Sequence, residues 1–269
     1  MMPDFPQLLV PRDTLGPLPV LHLFGEPFVS VGARRVDIPR SCRRLLVFVA
    51  LRPSRVERPY AAGSLWPIND EARADGNLRS ALWRLNRMDV QLLSVDKYGL
   101  TMRDEVAVDL RAVSAWATRV IDGTATTADL RAAPPGMDSL ELLPGWYDDW
   151  ALMERERIRQ RLLHALDSQS RHLMRMGLYA DAVDVAMAAV GAEPLRESAQ
   201  RLLIEAHLAA GNWVEGRRSL AVYAGLLDRE LGVRPAPELT ALLRCPPSSG
   251  PAGSRPGPFP VKSVVNPRG

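Results

Sequence analysis

The chain has 269 residues, of which 46% are hydrophobic, and a formal net charge of +3 at pH 7. This length is enough for one large domain or two ordinary ones, and the hydrophobic share supports a real core. No apolar run approaches a membrane span, the first residues do not form a signal peptide, and Cys42 and Cys245 have no metal-ligand spacing. We therefore expect a cytoplasmic protein without membrane contact or disulfide bonds.

Basic residues are concentrated in one part of the chain. Between Arg40 and Arg103 there are twelve Lys and Arg residues against six Asp and Glu residues, a local excess of +6. The small total charge does not by itself indicate a nucleic-acid partner, but a local basic cluster is typical of a surface that meets one.

The predicted elements begin after a flexible proline-rich arm, residues 1–17. Turn signals containing glycine separate three short predicted strands, 20–24, 27–31 and 36–38. A buried helix is predicted over 41–51. A second helix is predicted over 58–67, where proline at position 59 suits the first turn.

A third helix, predicted over 72–88, has an apolar stripe and a basic outer face. The stripe repeats at three- and four-residue spacing in Ala74, Leu78, Ala81, Leu82 and Leu85. The outer side and its flanks carry Arg73, Asn77, Arg79, Ser80, Trp83, Arg84 and Arg87. Arginine grips a guanine edge with two hydrogen bonds and also neutralises phosphate, so we interpret this segment as a DNA recognition helix. An ordinary surface helix with solvated arginines would show the same two faces.

Two strand-like runs, 91–95 and 100–103, flank a turn with glycine and predict a hairpin whose tip carries Lys97 and Tyr98. Three strands, three helices and a hairpin, in that order, indicate a winged helix-turn-helix of the OmpR type over 18–109. The hairpin is then the wing, which contacts DNA backbone or minor groove. Tyr98 is equally compatible with packing against the base of its own hairpin. Residues 106–110 either close the hairpin sheet or begin the next unit.

The second half, 110–243, reads as all-α. A helix is predicted over 113–121, a partly looped segment over 124–135 and a long helix over 150–176. The aromatic residues Trp146, Tyr147 and Trp150 are expected to pack at the entry to that long helix, which is a simpler explanation than a ligand box.

A weak repeat follows the long helix. Gly177 and Gly211 are 34 residues apart, as are Tyr179 and Trp213, and 34 residues is the tetratricopeptide period. Residues 244–269 are rich in Pro, Gly and Ser, so we expect a disordered tail.

Two segments resemble a known family. Trp66, followed by the pattern Leu-x-Ser-x-x-x-Arg-Leu-x-Arg over 78–87, resembles the Streptomyces antibiotic regulatory protein (SARP) family, although Gly76 and Ala81 depart from its pattern. The run Leu-Leu-Asp-Arg-Glu-Leu-Gly-Val-Arg-Pro over 226–235 resembles the end of the bacterial transcriptional activator domain. The resemblance implies a mainly α fold with a small β component, in which a winged helix-turn-helix precedes a tetratricopeptide-like helical domain.

The same resemblance implies a function. It indicates a transcriptional activator of an antibiotic or other secondary-metabolite gene cluster that binds promoter direct repeats in double-stranded DNA. The helical domain would support a homodimer on DNA and engage RNA polymerase holoenzyme. Such a protein would be cytoplasmic and associated with the nucleoid.

Other classes of function find little support. No phosphate-binding Gly-x-x-x-x-Gly-Lys-Ser/Thr loop occurs, the four histidines lack zinc spacing, and no Ser-His-Asp arrangement is legible. We therefore expect no enzyme, no cofactor and no metal. Two alternatives stay open: a protein-interaction scaffold that has lost DNA binding, and a regulator gated by a small ligand in its helical half.

Overall fold

The structure is a computed structural model that describes residues 18–132 and 141–244. The predicted fold class, mainly α with a small β component, is confirmed: a winged helix-turn-helix precedes an array of antiparallel helices. The predicted arm, 1–17, lies outside the described residues. So does the predicted tail, apart from its first residue, Arg244.

Seven short strands and ten helices make up the described part of the chain. The strands are β1 Pro19–His22, β2 Phe28–Val31, β3 Arg34–Val36, β4 Val56–Glu57, β5 Leu93–Val95, β6 Gly99–Met102 and β7 Ala107–Val108. The helices of the first half are α1 Arg40–Ala50, α2 Arg58–Leu65 and α3 Glu71–Asn86. Those of the second half are α4 Asp109–Ile121, α5 Thr127–Arg131, α6 Asp149–Arg175, α7 Tyr179–Ala192, α8 Glu197–Ala209, α9 Trp213–Leu231 and α10 Pro237–Ala241.

The amino-terminal sheet has the strand order β3-β2-β1-β7. Antiparallel pairing joins the first three strands, whereas β7 runs parallel to β1 with Ala107 opposite Val20. Residues 106–110 therefore do not close the hairpin sheet, because the chain returns to the first sheet after the wing. They also begin the next unit, since α4 starts directly after β7.

The second sheet, in the order β4-β6-β5, carries the wing. Its central strand β6 pairs with both neighbours, and Leu100 lies opposite Val56 of β4 as well as Val95 of β5. Strand β4 was not among the predicted elements, because two residues are too few to show an alternating pattern. It nevertheless ties the base of the wing to the start of α2.

The helical half is built from antiparallel helices joined by tight turns. Gly177 and Gly211, at φ +74° and +77°, form the turns that precede α7 and α9. Only glycine adopts this left-handed conformation without strain. Ala182 and Gly216 are buried where neighbouring helices meet, which fits the small-residue positions of a tetratricopeptide-like repeat.

Two of the three aromatic residues at the start of α6 pack as expected. The ring centres of Trp146 and Trp150 are 6.0 Å apart, and Trp150 meets Phe48 of α1 edge-on at 5.2 Å. The side chain of Tyr147 contradicts the prediction, because it is 82% exposed. Tyr147 follows Trp146 directly in the sequence, and both precede the first residue of α6, so helical spacing does not place their side chains on one face.

One hydrophobic cluster extends across both halves. It runs from Leu21 of β1 through α1–α4 to Ile158 and Leu162 in the first part of α6. The second part of α6 contributes Leu166 and Leu173 to a different cluster, shared with α7 and α8. The long helix α6 therefore connects the core of the winged helix to the core of the helical array.

Asp109, the first residue of α4, is an ionisable group buried inside this junction. Its carboxylate accepts the backbone N–H of Leu23 at 2.9 Å and that of Leu110 at 2.6 Å, with a longer contact of 3.4 Å from Phe24. Burial raises the pKa of Asp109 to about 7, while these three amides act in the opposite direction. His22 Nδ1 lies 3.9 Å from the same carboxylate.

Candidate nucleic-acid interface

The candidate interface is built on α3, and a side-chain cap fixes the residue at which this helix begins. The carboxylate of Asp70 accepts the backbone N–H of Arg73 at 2.8 Å, and this satisfies one of the free amides at the helix start. The predicted apolar stripe, Ala74, Leu78, Ala81, Leu82 and Leu85, is buried against α1 and α2. The opposite side of α3 is therefore free to meet a partner.

Most of the predicted polar residues lie on that opposite side. Arg73, Arg79, Ser80, Trp83, Arg84 and Arg87 are exposed, whereas Asn77 is half-buried. At about 100° per residue, Gly76, Ser80 and Trp83 face most directly away from the core. Arg84 lies on one flank, close enough to α1 for its charge to act on Cys42. Burial raises the pKa of that thiol, and Arg84 acts against the rise.

The arginines on α3 differ in the contacts that their side chains make within the protein. Arg79 forms an ion pair with Asp75 one turn earlier. The guanidinium carbon of Arg87 lies 4.7 Å from the centre of the Trp83 ring. Among the described residues, neither Arg73 nor Arg84 takes part in an ion pair. These last two are the arginines with their donors available to a phosphate or a base edge.

The predicted carboxyl end of the recognition helix is wrong by two residues. α3 ends at Asn86, and the amides of Arg87 and Met88 bond to carbonyls three residues earlier, at 3.2 and 3.1 Å. Such tighter bonds are common in the last turn of a helix. Arg87 is therefore the capping residue rather than part of the helix, and its side chain is directed by Trp83.

The wing tip is ordered by one carboxylate. Asp96 accepts the backbone amides of Tyr98 at 2.7 Å and Gly99 at 3.0 Å and forms an ion pair with Arg55. The two amides and then the guanidinium hold the pKa of Asp96 below its ordinary value. A Cβ on Gly99 would lie 2.9 Å from the carbonyl oxygen of Val56, so only glycine fits there.

This turn presents both predicted wing residues to solvent. The Lys97 Nζ atom lies 5.4 Å from the centre of the Tyr98 ring, and Tyr98 is 69% exposed. Packing of Tyr98 against the base of the hairpin is therefore not observed. The tip presents a cation and an aromatic ring together.

A cleft of about 1050 Å³ separates the wing from the start of α3. It brings together Arg55, Glu57, Arg58, Pro59, Glu71, Asp75, Lys97 and Tyr98. Prediction from the sequence missed Arg55 and Arg58, which the pairing of β4 with β6 carries to the wing. The spacing of arginines at 52, 55 and 58 was a visible signal, but only the unpredicted strand β4 explains its position.

The charges around α3 are unevenly distributed. Glu71 and Asp75 line the wing side of the helix, where they face Arg55, Arg58 and Lys97 across the cleft. Arg73 and Arg84 point away from that acidic pair. The positive charge is therefore greatest on the arginine side of α3 and at the wing tip, and these are the two places where a phosphate backbone would be attracted most strongly.

Other kinds of site find no support in the described ranges. Within 18–132 and 141–244, no group of three or more His, Cys, Asp and Glu residues is arranged to hold a metal ion. No helix in these ranges is both long and apolar enough to cross a membrane.

Residues 111–244 match the family described as the bacterial transcriptional activator domain. Two curated relatives are regulatory proteins named AfsR. The one from Streptomyces griseus is 36% identical over 108 residues, which are 39% of this chain and 10% of that protein. The one from Streptomyces coelicolor is 30% identical over 212 residues, 74% of this chain and 21% of that protein. The chain thus spans about a tenth to a fifth of the length of these relatives.

A solved structure has the same fold. It is Mycobacterium tuberculosis EmbR in complex with a low-affinity phosphopeptide, with a TM-score of 0.61 and 17% sequence identity. The match covers 84% of this chain and 64% of EmbR. At 17% identity, the similarity to EmbR shows a shared fold and nothing more.

Proposed function

We propose that the chain is a transcriptional regulator of the Streptomyces antibiotic regulatory protein family and that it binds double-stranded DNA in a sequence-specific way. The support is the match of residues 111–244 to the bacterial transcriptional activator domain and the similarity to the Streptomyces regulatory proteins. In this proposal residues 18–109 are the DNA-binding domain and residues 110–243 the activator domain. α3 enters the major groove, and the wing contacts backbone or minor groove. The observation that carries the proposal is the exposed arginine face of α3 beside an ordered wing tip, where Arg73 and Arg84 form no ion pair with any residue that the structure describes.

The roles of the individual residues follow from their positions. Base contacts are assigned to the outward and flanking positions of α3, namely Arg73, Asn77, Ser80, Trp83 and Arg84. Arg79, Arg87, Lys97 and Tyr98 are assigned to the DNA backbone, because the first two are held by neighbours and the last two lie on the wing. We add Arg55 and Arg58 as phosphate contacts on the same side as the wing.

The finer function is also a proposal. We infer an activator of a secondary-metabolite gene cluster that binds promoter direct repeats as a homodimer, recruits RNA polymerase holoenzyme and is associated with the nucleoid. Support for a protein contact comes from α9, where Val214 and Val222 are 76% and 67% exposed. Val222→Asp is expected to leave DNA binding intact and to lower transcription from the bound promoter in vitro.

The first experiment measures fluorescence anisotropy on labelled intergenic fragments that neighbour the gene, across a salt series and with unrelated competitor DNA. We expect tight binding to one fragment that survives competitor and weakens steeply as salt rises. Arg84→Ala is expected to lose about 1–3 kcal/mol of specific binding, the value of a two-pronged guanine contact. Arg217→Ala, which removes an exposed arginine on α9, is the matched control and should bind as the original does.

Thermal melting of both variants separates a lost contact from a lost fold, since Arg84 lies near α1. Equal affinity of Arg84→Ala and the original chain for the operator would show that this side of α3 does not face DNA. Equal and weak binding to every fragment would instead favour a scaffold that works through its helical half.

A further inference from the structure

A cavity in the helical half has no part in the proposed DNA contacts. It lies between α5, α6 and α7 and has a volume of about 430 Å³. Leu130, Leu173 and Val185 form its apolar wall, and all three are buried. The volume and the apolar wall with a few polar groups are typical of sites for small organic molecules.

Gln169 supplies the polar part of this wall. Its side chain is fully buried, and Nε2 donates to the carbonyl oxygens of Leu130 at 2.7 Å and Ala132 at 3.3 Å. These carbonyls end α5 and have no partner within that helix, so both amide hydrogens of Gln169 are used. Its Oε1 atom has no hydrogen-bond partner among the described residues. A buried acceptor without a donor is costly, and a ligand N–H would remove that cost.

The mouth of the cavity is acidic. Asp181 and Asp184 lie three residues apart on α7, so they share one face of the helix. Both are exposed, and neither forms an ion pair within the part of the chain that the structure describes. Arg131 is the one cation among the lining residues, so the mouth carries a net negative charge.

We propose that this cavity binds a small organic amine with an aromatic or branched apolar body. The body packs against Leu130, Leu173 and Val185. Ammonium N–H groups donate to Gln169 Oε1 or to the carboxylates at the mouth, and the net charge selects cations over anions. The site is separate from α3 and the wing, so the proposal does not depend on DNA binding.

The test is isothermal titration of the full chain with tryptamine as the probe and indole-3-propionate as the charge-reversed control. We expect saturable binding of tryptamine at one site with a Kd of about 1 mM or tighter, and no saturable binding of the acid. Asp181→Asn and Asp184→Asn should each weaken tryptamine binding about two- to fivefold, the range of an exposed ion pair. Asp228→Asn, a matched exposed carboxylate on α9, should change nothing.

Ala188→Phe tests the cavity itself, because Ala188 lines it and a larger side chain fills it. This variant should abolish tryptamine binding while its thermal melting stays close to the original. The proposal is overturned if tryptamine does not saturate, if indole-3-propionate binds equally, or if Asp228→Asn weakens binding as much as the two cavity variants do.

Discussion

Replacing Asp109 by asparagine should destabilise the whole protein, although the two side chains have the same shape. The carboxylate accepts the amides of Leu23, Phe24 and Leu110, whereas an asparagine offers one acceptor oxygen and turns an NH₂ group towards a backbone N–H. One or two buried amides then lose their acceptor, at about 1–3 kcal/mol each. We expect Asp109→Asn to lower the free energy of unfolding by about 1–6 kcal/mol.

The same carboxylate makes stability depend on pH. Its pKa is about 7 in the folded protein, against an ordinary value of 3.8, so the folded state holds a proton that the unfolded state releases. The contribution of Asp109 is therefore fully present below pH 4 and is lost as pH rises through 7. Its slope is at most about 1.4 kcal/mol per pH unit, the value for one proton.

Urea denaturation followed by circular dichroism, from pH 5 to pH 8, measures both effects. The difference in unfolding free energy between the original chain and Asp109→Asn should shrink as pH rises. Asp122→Asn, an exposed carboxylate at the end of α4, is the matched control and should differ little from the original. If the difference in unfolding free energy instead grows with pH, the three amides lower the pKa of Asp109 more than burial raises it, and Asp109 stays ionised.

Three further substitutions test the interface and the short helix α5. Gly76→Ala should raise the unfolding free energy by about 0.5–1 kcal/mol in thermal melts, because a Cβ at this position meets nothing closer than 3.7 Å. If this more stable variant binds DNA more weakly, the helix approaches DNA closely at position 76. Gly99→Ala should lower DNA affinity and speed amide hydrogen exchange in the wing, since its Cβ would lie 2.9 Å from the Val56 carbonyl oxygen, and unchanged exchange would contradict that reasoning. Asp129, with a pKa lowered to about 2 chiefly by its hydrogen bonds to Arg119, stabilises α5 above pH 4 and loses this effect as pH falls towards 2. Asp129→Asn should therefore cost about 1 kcal/mol at pH 7 and clearly less at pH 2 in acid titrations monitored by fluorescence, and an equal cost at both would refute the ion pair.

The spacing of apolar residues predicted α3 well, because burial against two other helices determines that spacing. All five residues of the predicted stripe on α3 are buried, since a helix that packs on two others needs apolar side chains at that spacing. Its end was less predictable, because Arg87 is compatible with helical conformation and only the bonds of the last turn exclude it. The assignment of DNA contacts stays a prediction.

Features that depend on distant pairing were not predictable. β4 has two residues, and the segment 106–110 has no pattern that distinguishes one sheet from another. Arg55 and Arg58 reach the wing only through β4, so their place in the interface was hidden. The environment of Asp109 likewise depends on a distant part of the chain, because the amide that it binds belongs to Leu23, 86 residues earlier and directly after β1.

The position of α6 in two separate cores has a mechanical consequence. The helix has 27 residues and so extends about 40 Å, with one end clamped among the helices of the winged domain and the other among the repeats. The part of the helix beyond Leu162 is about 20 Å long, so a tilt of about 5° at Leu162 would displace the far end by about 1.7 Å. Small repacking around Leu162 would thus become a shift of the repeat array large enough to make or break contact with a neighbouring molecule.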